Sequence, residues 1–300
     1  MRDQPSLDHL AMFRSVIEHG TFSAAAQRAG VSQPAVSLQI RHLEQQLGTK
    51  LVERIGRRAT PTAAGVELLG CLGRIEGAVS DMRDAMARFA SGSAGRMRIG
   101  TGATACTFLL PSTLRRLRAK FPEVEIVVTT GNTSDIVKAV EENRIDIGFV
   151  TLPAAGRMLE ITPVLRDEFV AIAPRDFPLP KRITPLSLAS LPVLLFEPGG
   201  NTRRIADEWL AKAGRSLKPI MSLGSVEAIK ALVGAGLGCA IVPHMAVQNA
   251  KASLTTRSLS PPLYRQLAVV VRRDRPQQRA LKELIVSLKQ SANGLRNSGL

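Results

Sequence analysis

Apolar residues recur at helical spacing in the first 50 residues of the chain and predict three helices joined by short turns. The first helix ends at Gly20, and Thr21 is placed to cap a second, short helix rich in alanine. Ser32 is placed to cap the third helix, which Gly48 ends. The apolar positions are Leu7, Leu10, Phe13 and Ile17 in the first helix and Val36, Ile40, Leu43 and Leu47 in the third.

The opposite face of the third helix begins with small polar groups. At ~100° per residue, Pro34, Ser37 and Arg41 point away from the apolar stripe. A short helix, a tight turn and a longer helix with polar N-terminal residues are typical of a helix-turn-helix, whose second helix enters the DNA major groove. A helical hairpin with an ordinary solvated face is the alternative. The predicted DNA contacts on this helix are Ser32, Gln33, Pro34, Ser37 and Arg41.

Residues 51–61 indicate a short β-hairpin with Gly56 near its bend. Arginines at the tip of such a hairpin, called a wing, can enter a minor groove or bind phosphates. We therefore predict further DNA contacts at Arg54 and Arg57, with a basic surface loop as the alternative.

A long apolar stripe from about Thr62 to Ala90 predicts one long helix. Interior glycines cost about 1 kcal/mol each relative to alanine, so this glycine-containing helix needs a packing partner. A coiled-coil-like seam between two copies of the chain would provide one, and a core helix of a single domain is the alternative. The run Ser-Gly-Ser-Ala-Gly at 91–95 then indicates a hinge. Beyond residue 96, strand-like and helix-like segments alternate, which predicts open sheets flanked by helices.

The charge balance favours an anionic partner. The chain has 40 Lys and Arg against 25 Asp and Glu, a formal net charge of +15. Residues 1–95 hold 11 basic and 9 acidic residues, whereas residues 96–300 hold 29 and 16, so most of the excess lies in the C-terminal part. Such an excess suits nucleic acid or small anions. The most apolar segment, 231–242, is too short to span a bilayer, so we expect no membrane partner.

Candidate catalytic and metal-binding chemistry is sparse. The three cysteines, Cys71, Cys106 and Cys239, are far apart, and the four histidines are scattered. The glycine-rich segment 234–238 follows a predicted helix and precedes a predicted strand, which is the reverse of the dinucleotide-binding order. We expect no cofactor, no metal ion and no enzymatic activity, and we expect a reducing, cytoplasmic location.

Residues 13–65 resemble the LysR family of bacterial transcriptional regulators. The run TFSAAAQRAGVSQPAVSLQIRHLEQQLGTKLVERIGRRATPTAAG follows the family pattern of a small-residue helix, a Ser-Gln-Pro-Ala-Val-Ser turn, two wing arginines at Arg54 and Arg57, and a Thr-x-Ala-Gly start of a linker helix. It departs at Val52, where the family usually has Phe, and at Pro61, where Leu is usual. The segments FPEVEI, DIGFV, VLRDEFVAIAP and VGAGLGCAIVP resemble the effector domain of the family less specifically.

The resemblance implies a fold of class α + α/β. It comprises an N-terminal winged helix-turn-helix at 1–61, a long linker and dimerisation helix at 62–90, and a two-lobed Rossmann-like effector domain at 91–300 that resembles type 2 periplasmic binding proteins. Lobe I would comprise about 96–165 and 267–300, and lobe II about 166–266. The ligand cleft would lie between the two lobes.

Candidate effector contacts lie on loops that follow strands, where backbone N–H groups at a helix start suit a carboxylate or another anion. Gly102 stands where the family often has Ser, so Thr101 or Thr104 would have to supply that hydroxyl. The candidate contacts are Thr101, Gly102, Ala103, Thr104, Asn132, Thr133, Phe149, Asn201, Thr202 and Arg203.

The sequence thus predicts a sequence-specific regulator that binds double-stranded promoter DNA and a small, anionic effector. The resemblance implies a homodimer that assembles into a homotetramer, with RNA polymerase as a further partner. Two other functions are compatible with the pattern: a two-lobed α/β enzyme with an appended helical domain, and a nonspecific nucleoid protein. Specific, salt-dependent retention of promoter DNA distinguishes the regulator from both.

Overall fold

The computed structural model describes residues 4–56, 58–91, 95–248, 254–274 and 279–297. The chain forms two compact units, which meet in sequence between Ser80 and Asp81. Among the described residues, no helix combines the length and the hydropathy needed to cross a bilayer.

The first unit is a three-helix bundle followed by a two-stranded antiparallel hairpin. Side chains cap its helices, because Ser6, Thr21 and Ser32 each accept a hydrogen bond from a backbone N–H of the following first turn. Gly20, at the end of the first helix, has a φ of 69°, a left-handed conformation that glycine adopts without strain. The elements are α1 (Leu7–His19), α2 (Phe22–Ala29), α3 (Gln33–Leu47), β1 (Val52–Ile55), β2 (Arg58–Pro61) and the start of α4 (Ala63–Ser91).

The core of the first unit contains Phe13 of α1, Val36 and Leu43 of α3, and Leu72 of α4. The first half of α4 therefore packs into this unit, and its apolar stripe does not serve only as a seam. The sequence-based prediction placed Leu47 on the buried stripe of α3, but Leu47 is exposed. Leu47 is the last residue of the helix, beyond the reach of the core. Leu7, predicted on the apolar face of the first helix, is also exposed, because it is the first residue of α1.

The second unit contains two sheets that share one long strand. Its elements are β3 (Arg96–Thr101), α5 (Ala103–Phe108), α6 (Leu110–Lys120), β4 (Glu125–Thr130), α7 (Thr133–Glu141), β5 (Ile147–Thr151), β6 (Leu159–Pro174), α8 (Pro185–Ala189), β7 (Val193–Phe196), α9 (Asn201–Ala211), β8 (Met221–Leu223), α10 (Val226–Gly234), β9 (Cys239–Pro243), a 3₁₀ turn (His244–Ala246), β10 (Leu254–Ser258), β11 (Tyr264–Arg272) and α11 (Arg279–Asn297).

The strand order is β4-β3-β5-β11-β6-β9-β7-β8, with β10 also paired to β6. The first half of β6 pairs with β11, and its second half pairs with β9 and β10. We call the strands from β4 to the first half of β6 the lobe I sheet, and the second half of β6 with β7 to β10 the lobe II sheet. The predicted lobe boundaries near 165 and 266 fall inside β6 and β11, so the lobes are joined by strands and not by loops.

Helices cover both faces of each sheet. In lobe I, α6 and α11 pack on one face and α7 on the other. In lobe II, α8 and α9 cover one face and α10 the other. In open sheets covered by helices, the carboxyl ends of the parallel strands and the loops beyond them are where a binding site forms.

Candidate nucleic-acid interface and ligand cleft

The N-terminal half of α3 exposes most of the predicted DNA contacts. Ser32 and Pro34 are exposed in the first turn, and Arg41 is exposed on the same helix. Nε2 of Gln33 donates to Oγ of Ser37 at 2.8 Å, which fixes the amide of Gln33 along the helix surface. The predicted polar face therefore exists, and one internal hydrogen bond orders it.

A buried carboxylate ties the end of α3 to the hairpin. Oε1 of Glu44 accepts hydrogen bonds from the backbone N–H groups of Leu51 at 2.9 Å and Val52 at 3.3 Å, and Oε2 accepts one from Nζ of Lys50 at 2.7 Å. Burial alone would raise the pKa of Glu44, but these hydrogen bonds and the charge of Lys50 outweigh it, so the pKa of Glu44 is lowered. The direction of the hairpin thus depends on an ionised side chain of α3.

The wing is the hairpin of β1 and β2. The guanidinium of Arg54 lies 5.2 Å from the ring centre of Phe22, within cation–π range, so an exposed arginine of the wing contacts the start of α2. The other predicted wing contact, Arg57, lies outside the described residues, as do residues 92–94 of the predicted hinge.

The Thr-x-x-Gly motif after the wing has a clear structural role. Oγ1 of Thr62 donates to the carbonyl of Lys50 at 2.7 Å and accepts from the N–H of Gly65 at 3.1 Å, so Thr62 caps α4 and holds it to the chain before the wing. A Cβ atom at Gly65 would overlap the carbonyl oxygen of Leu51. The glycine therefore permits a close backbone approach.

Large apolar side chains of α4 are exposed in both units. Val66, in the first unit, and Met82 and Met86, in the second, are each more than half exposed. Met82 and Met86 are four residues apart and therefore share one face of the helix, whereas Val66 lies on a different face.

A cleft of about 330 Å³ opens between the two sheets of the second unit. Its walls come from the carboxyl ends of β3, β4, β5 and β7 and from the start of α9. Nine of the ten predicted effector contacts line it: Gly102, Ala103, Thr104, Asn132, Thr133, Phe149, Asn201, Thr202 and Arg203. Residues separated by about a hundred positions are thus brought together as the sequence predicted.

Thr101 is the predicted contact that lies outside the lining. Its side chain is fully buried, and Oγ1 donates to the carbonyl of Phe149 at 2.9 Å. Thr101 therefore joins β3 to β5 and supports Phe149, which does line the cleft.

Three helices begin at the cleft without a side-chain cap. Their N-cap residues, Gly102 of α5, Asn132 of α7 and Gly200 of α9, accept no hydrogen bond from the first turn through a side chain. Elsewhere in the second unit, Thr184 and Ser225 do cap their helices in this way. The uncapped first turns leave backbone donors and the positive ends of helix dipoles at the cleft.

Arg265, a buried cation in the cleft wall, was not predicted from the sequence. Its Nε and Nη2 lie 3.0 and 2.9 Å from Oδ2 of Asp167, and Nη1 donates to Oγ1 of Thr202 at 3.4 Å. Burial lowers the pKa of Arg265, while the charge of Asp167 and its hydrogen bond oppose that effect. Nη2 is buried and lacks the alignment for a hydrogen bond. No motif marks Arg265, which stands at the start of β11.

Other polar groups of the cleft are already engaged with the protein. Arg203 donates from Nε to both carboxylate oxygens of Asp207, at 2.9 and 3.0 Å, and from Nη1 to the carbonyl of Phe196 at 2.8 Å. Two lining carboxylates that the sequence analysis did not select, Asp135 and Glu197, belong to exposed residues. The wall thus carries charges of both signs.

The described residues provide little for other chemistry. Nowhere among them do three or more His, Cys, Asp and Glu side chains gather to hold a metal ion. Burial raises the pKa of Cys239 to about 11, which disfavours a reactive thiolate.

Two family models match the chain. The model described as "Bacterial regulatory helix-turn-helix protein, lysR family" matches residues 7–66. The model described as "LysR substrate binding domain" matches residues 90–293. Together they match most of both compact units and leave residues 67–89, within α4, unmatched.

Curated relatives and solved structures agree with these matches. The chain is 34% identical over 277 residues to the HTH-type transcriptional regulator CbbR of Xanthobacter flavus, covering 90% of this chain and 83% of that protein. It is 31% identical over 269 residues to the uncharacterized HTH-type transcriptional regulator YeiE of Escherichia coli (strain K12), covering 89% and 90%. The crystal structure of CbnR, a LysR family transcriptional regulator, shares the fold with a TM-score of 0.70 at 22% identity, covering 96% and 99%.

Proposed function

Since this chain belongs to the LysR family of bacterial transcriptional regulators, DNA-binding proteins with an effector-binding domain, we propose that the first half of α3 and the wing together recognise promoter DNA. In this proposal Gln33 and Ser37 contact base edges, and the arginines contact phosphates. The N-terminus of α3 adds a positive dipole end that suits a phosphate. The proposed contacts are Ser32, Gln33, Pro34, Ser37, Arg41, Arg54 and Arg57.

The proposed working unit is a homodimer, assembled further into a homotetramer. One reading helix covers few base pairs, whereas two related by a two-fold axis read a palindromic pair of half-sites. The exposed Met82 and Met86, which share one face of α4, support a seam between copies. We propose that residues 1–61 bind DNA, 62–90 link and dimerise, and 91–300 bind the effector.

The proposed effector is a small anion, such as a carboxylate or a phosphate, bound in the cleft. The observation that carries this proposal is the buried guanidinium of Arg265 beside the uncapped first turns of α7 and α9. These groups place a guanidinium and first-turn N–H donors that no N-cap side chain accepts from in one cavity. The net positive charge of residues 96–300 also favours an anion. We add Arg265 to the nine lining contacts predicted from the sequence.

A ligand-binding experiment tests the anion. Inorganic phosphate and small organic acids should raise the melting temperature of the full-length chain. The double substitution Arg265→Met with Asp167→Asn removes both charges of the buried pair, so neither is left unpaired. This variant should fold and lose the shift. An equal shift in both proteins would contradict the proposed site.

A DNA-binding experiment tests the regulation. The parent chain should retain fragments of its own promoter over scrambled DNA, with an affinity that falls steeply with salt. A bound anion should change the footprint, because a ligand that favours one lobe arrangement shifts the population towards it. We further propose the cytoplasm as its location, RNA polymerase as a partner at the promoter, and no catalytic step in the cleft.

A further inference from the structure

Leu38 is an exposed apolar side chain in the middle of the polar face of α3. Its exposed fraction is 65%, and among the large apolar side chains of the described residues only Ile55, at 66%, is more exposed. Ile55 is the last residue of β1, in the wing. The two most exposed large apolar side chains in the described part of the chain therefore lie on the two elements that we assign to DNA.

The position of Leu38 on the helix directs it towards the partner of α3 and away from the protein core. At ~100° per residue, Leu38 points almost directly away from the buried Val36 and Leu43. It lies four residues after Pro34 and three before Arg41, so these side chains share one face of the helix. A molecule that binds this face therefore covers Leu38.

The charge of this face suits a polyanion. Glu44 is the single acidic residue of α3, and it is buried, where it accepts hydrogen bonds from Nζ of Lys50 and the N–H of Leu51. Along α3, every residue of which the structure describes, the exposed face thus presents Arg41 and no carboxylate. An apolar protein surface would have to bury Arg41 together with Leu38, whereas duplex DNA offers phosphates to the arginine.

We propose that Leu38 recognises thymine in the major groove through the C5-methyl group of the base. This inference rests on the proposed DNA contact of α3. Thymine presents a methyl group beside its O4 acceptor in the major groove, whereas cytosine presents an amino donor and no methyl group. Packing Leu38 on the methyl group removes both carbon surfaces from water. A cytosine at the same place leaves the leucine against a polar amino group.

The test removes single methyl groups from the DNA. The probe is the duplex that the full-length chain selects from a randomised pool, and each thymine is replaced in turn by deoxyuridine, which lacks only the methyl group. At one position of each half-site, the replacement should weaken binding of the parent about fourfold, the value of burying one CH₂-sized group. Gel-shift titrations give the dissociation constants.

Substitutions of Leu38 show whether this side chain makes the contact. Leu38→Ala should bind the thymine and deoxyuridine probes equally at that position, whereas Leu38→Met, which stays apolar, should still distinguish them. Leu186→Ala is the matched control, because Leu186 of α8 is 60% exposed and lies in the second unit. It should behave as the parent does. Melting temperatures check that each variant is folded, and substitutions at such exposed sites should leave them nearly unchanged.

Cytosine provides the converse test. Replacing the same thymine by cytosine should weaken binding of the parent, and 5-methylcytosine should recover about fourfold of the loss, because it restores the methyl group without the O4 acceptor. Leu38→Ala should show no such recovery. An equal recovery in both proteins would assign the methyl contact to another side chain and overturn the inference.

The outcomes separate the inference from the function on which it rests. Insensitivity of the parent to deoxyuridine at every thymine, or equal sensitivity in the parent and in Leu38→Ala, would overturn the role of Leu38. If Gln33→Ala still reduced discrimination between operators in that case, α3 would remain the reading helix. Enrichment of no sequence from the pool by the parent would overturn both the reading by α3 and the role of Leu38.

Discussion

The polar face of α3 and the cleft of the second unit differ in whether their functional groups are exposed or already paired within the protein. On α3, Arg41 is exposed, and Gln33 has one hydrogen bond to its own helix. In the cleft, Arg265 is paired with Asp167, and Asn201 spans two carbonyl groups. In the proposed function, a nucleic acid meets groups that are open, whereas an effector competes with partners inside the protein. We therefore expect binding in the cleft to be coupled to rearrangement, and binding on α3 not to be.

The largest expected effect comes from the same substitution made on both surfaces. Arg265→Met leaves Asp167 buried without its cation, so the second unit should lose about 3–5 kcal/mol of unfolding free energy. Arg41→Met, the matched change on exposed α3, should alter stability by no more than about 0.5 kcal/mol. Denaturant unfolding of the full-length chain measures both. Equal losses of unfolding free energy would show that the buried pair of Arg265 and Asp167 contributes no more to stability than the exposed Arg41.

A pair of glycine substitutions tests how closely the start of α4 packs against Leu51 in the first unit. Gly65→Ala places a methyl group against the carbonyl of Leu51, so the first unit should lose about 3 kcal/mol through overpacking. Gly70→Ala lies on the same helix with no atom within 4 Å of the new methyl group, and it should gain up to about 1 kcal/mol. Thermal unfolding with a probe in the first unit checks the opposite signs. A loss at both positions would contradict the close approach at Gly65.

Substitution of Gln33 tests the exposed face of α3 through its effect on DNA binding. Gln33→Ala should reduce discrimination between the correct and a mismatched operator by about 2 kcal/mol, because a bidentate base contact is lost. Stability should not change, since the side chain of Gln33 bonds to Ser37 alone within the part of the chain that the structure describes. Gln45→Ala, exposed near the other end of α3, is the control. Gel-shift titrations with both operators measure the difference, and unchanged discrimination would remove Gln33 from the proposed base contacts.

Glu44, the buried carboxylate of the first unit, gives the smallest expected effect on stability. Its folded pKa is lowered, so the ionised form contributes stability above the unfolded carboxyl pKa, and this contribution is lost as pH falls through the folded pKa. Glu44→Gln should cost about 1 kcal/mol at neutral pH. The cost should fade as the pH falls below the unfolded carboxyl pKa of about 4.3 and through the lowered folded pKa. Unfolding titrations at neutral pH and at a series of acidic pH values check this, and a constant difference would contradict a role for the charge.

The helices of the first unit could be predicted because the residues that define each helix lie within one short segment of the sequence. Ser32 and Gly48 delimit α3 within one short segment, and the spacing of Val36, Ile40 and Leu43 gives its buried face directly. Periodicity failed at Leu7 and Leu47, the first residue of α1 and the last residue of α3, where the helices run past the core.

The cleft was predictable only in part. Family resemblance located the loops that follow β3, β4 and β5, but the partner of Arg265 lies 98 residues earlier in the chain. No local pattern reports such a pairing. The same is true of Asn201, whose acceptor at Thr151 is 50 residues away across the cleft. The chemistry of the loops could be read from the sequence, but their mutual contacts required the fold.

The position of β11 between β5 and β6 determines the order in which a growing chain can fold. The first unit has all its strands and its bundle once 80 residues have left the ribosome. The lobe I sheet, although begun at Arg96, stays open in the middle until Arg272 emerges. During synthesis, the first unit, which contains the helix-turn-helix, is therefore complete well before the cleft of the second unit has formed. A nascent or truncated chain would contain the first unit without the cleft.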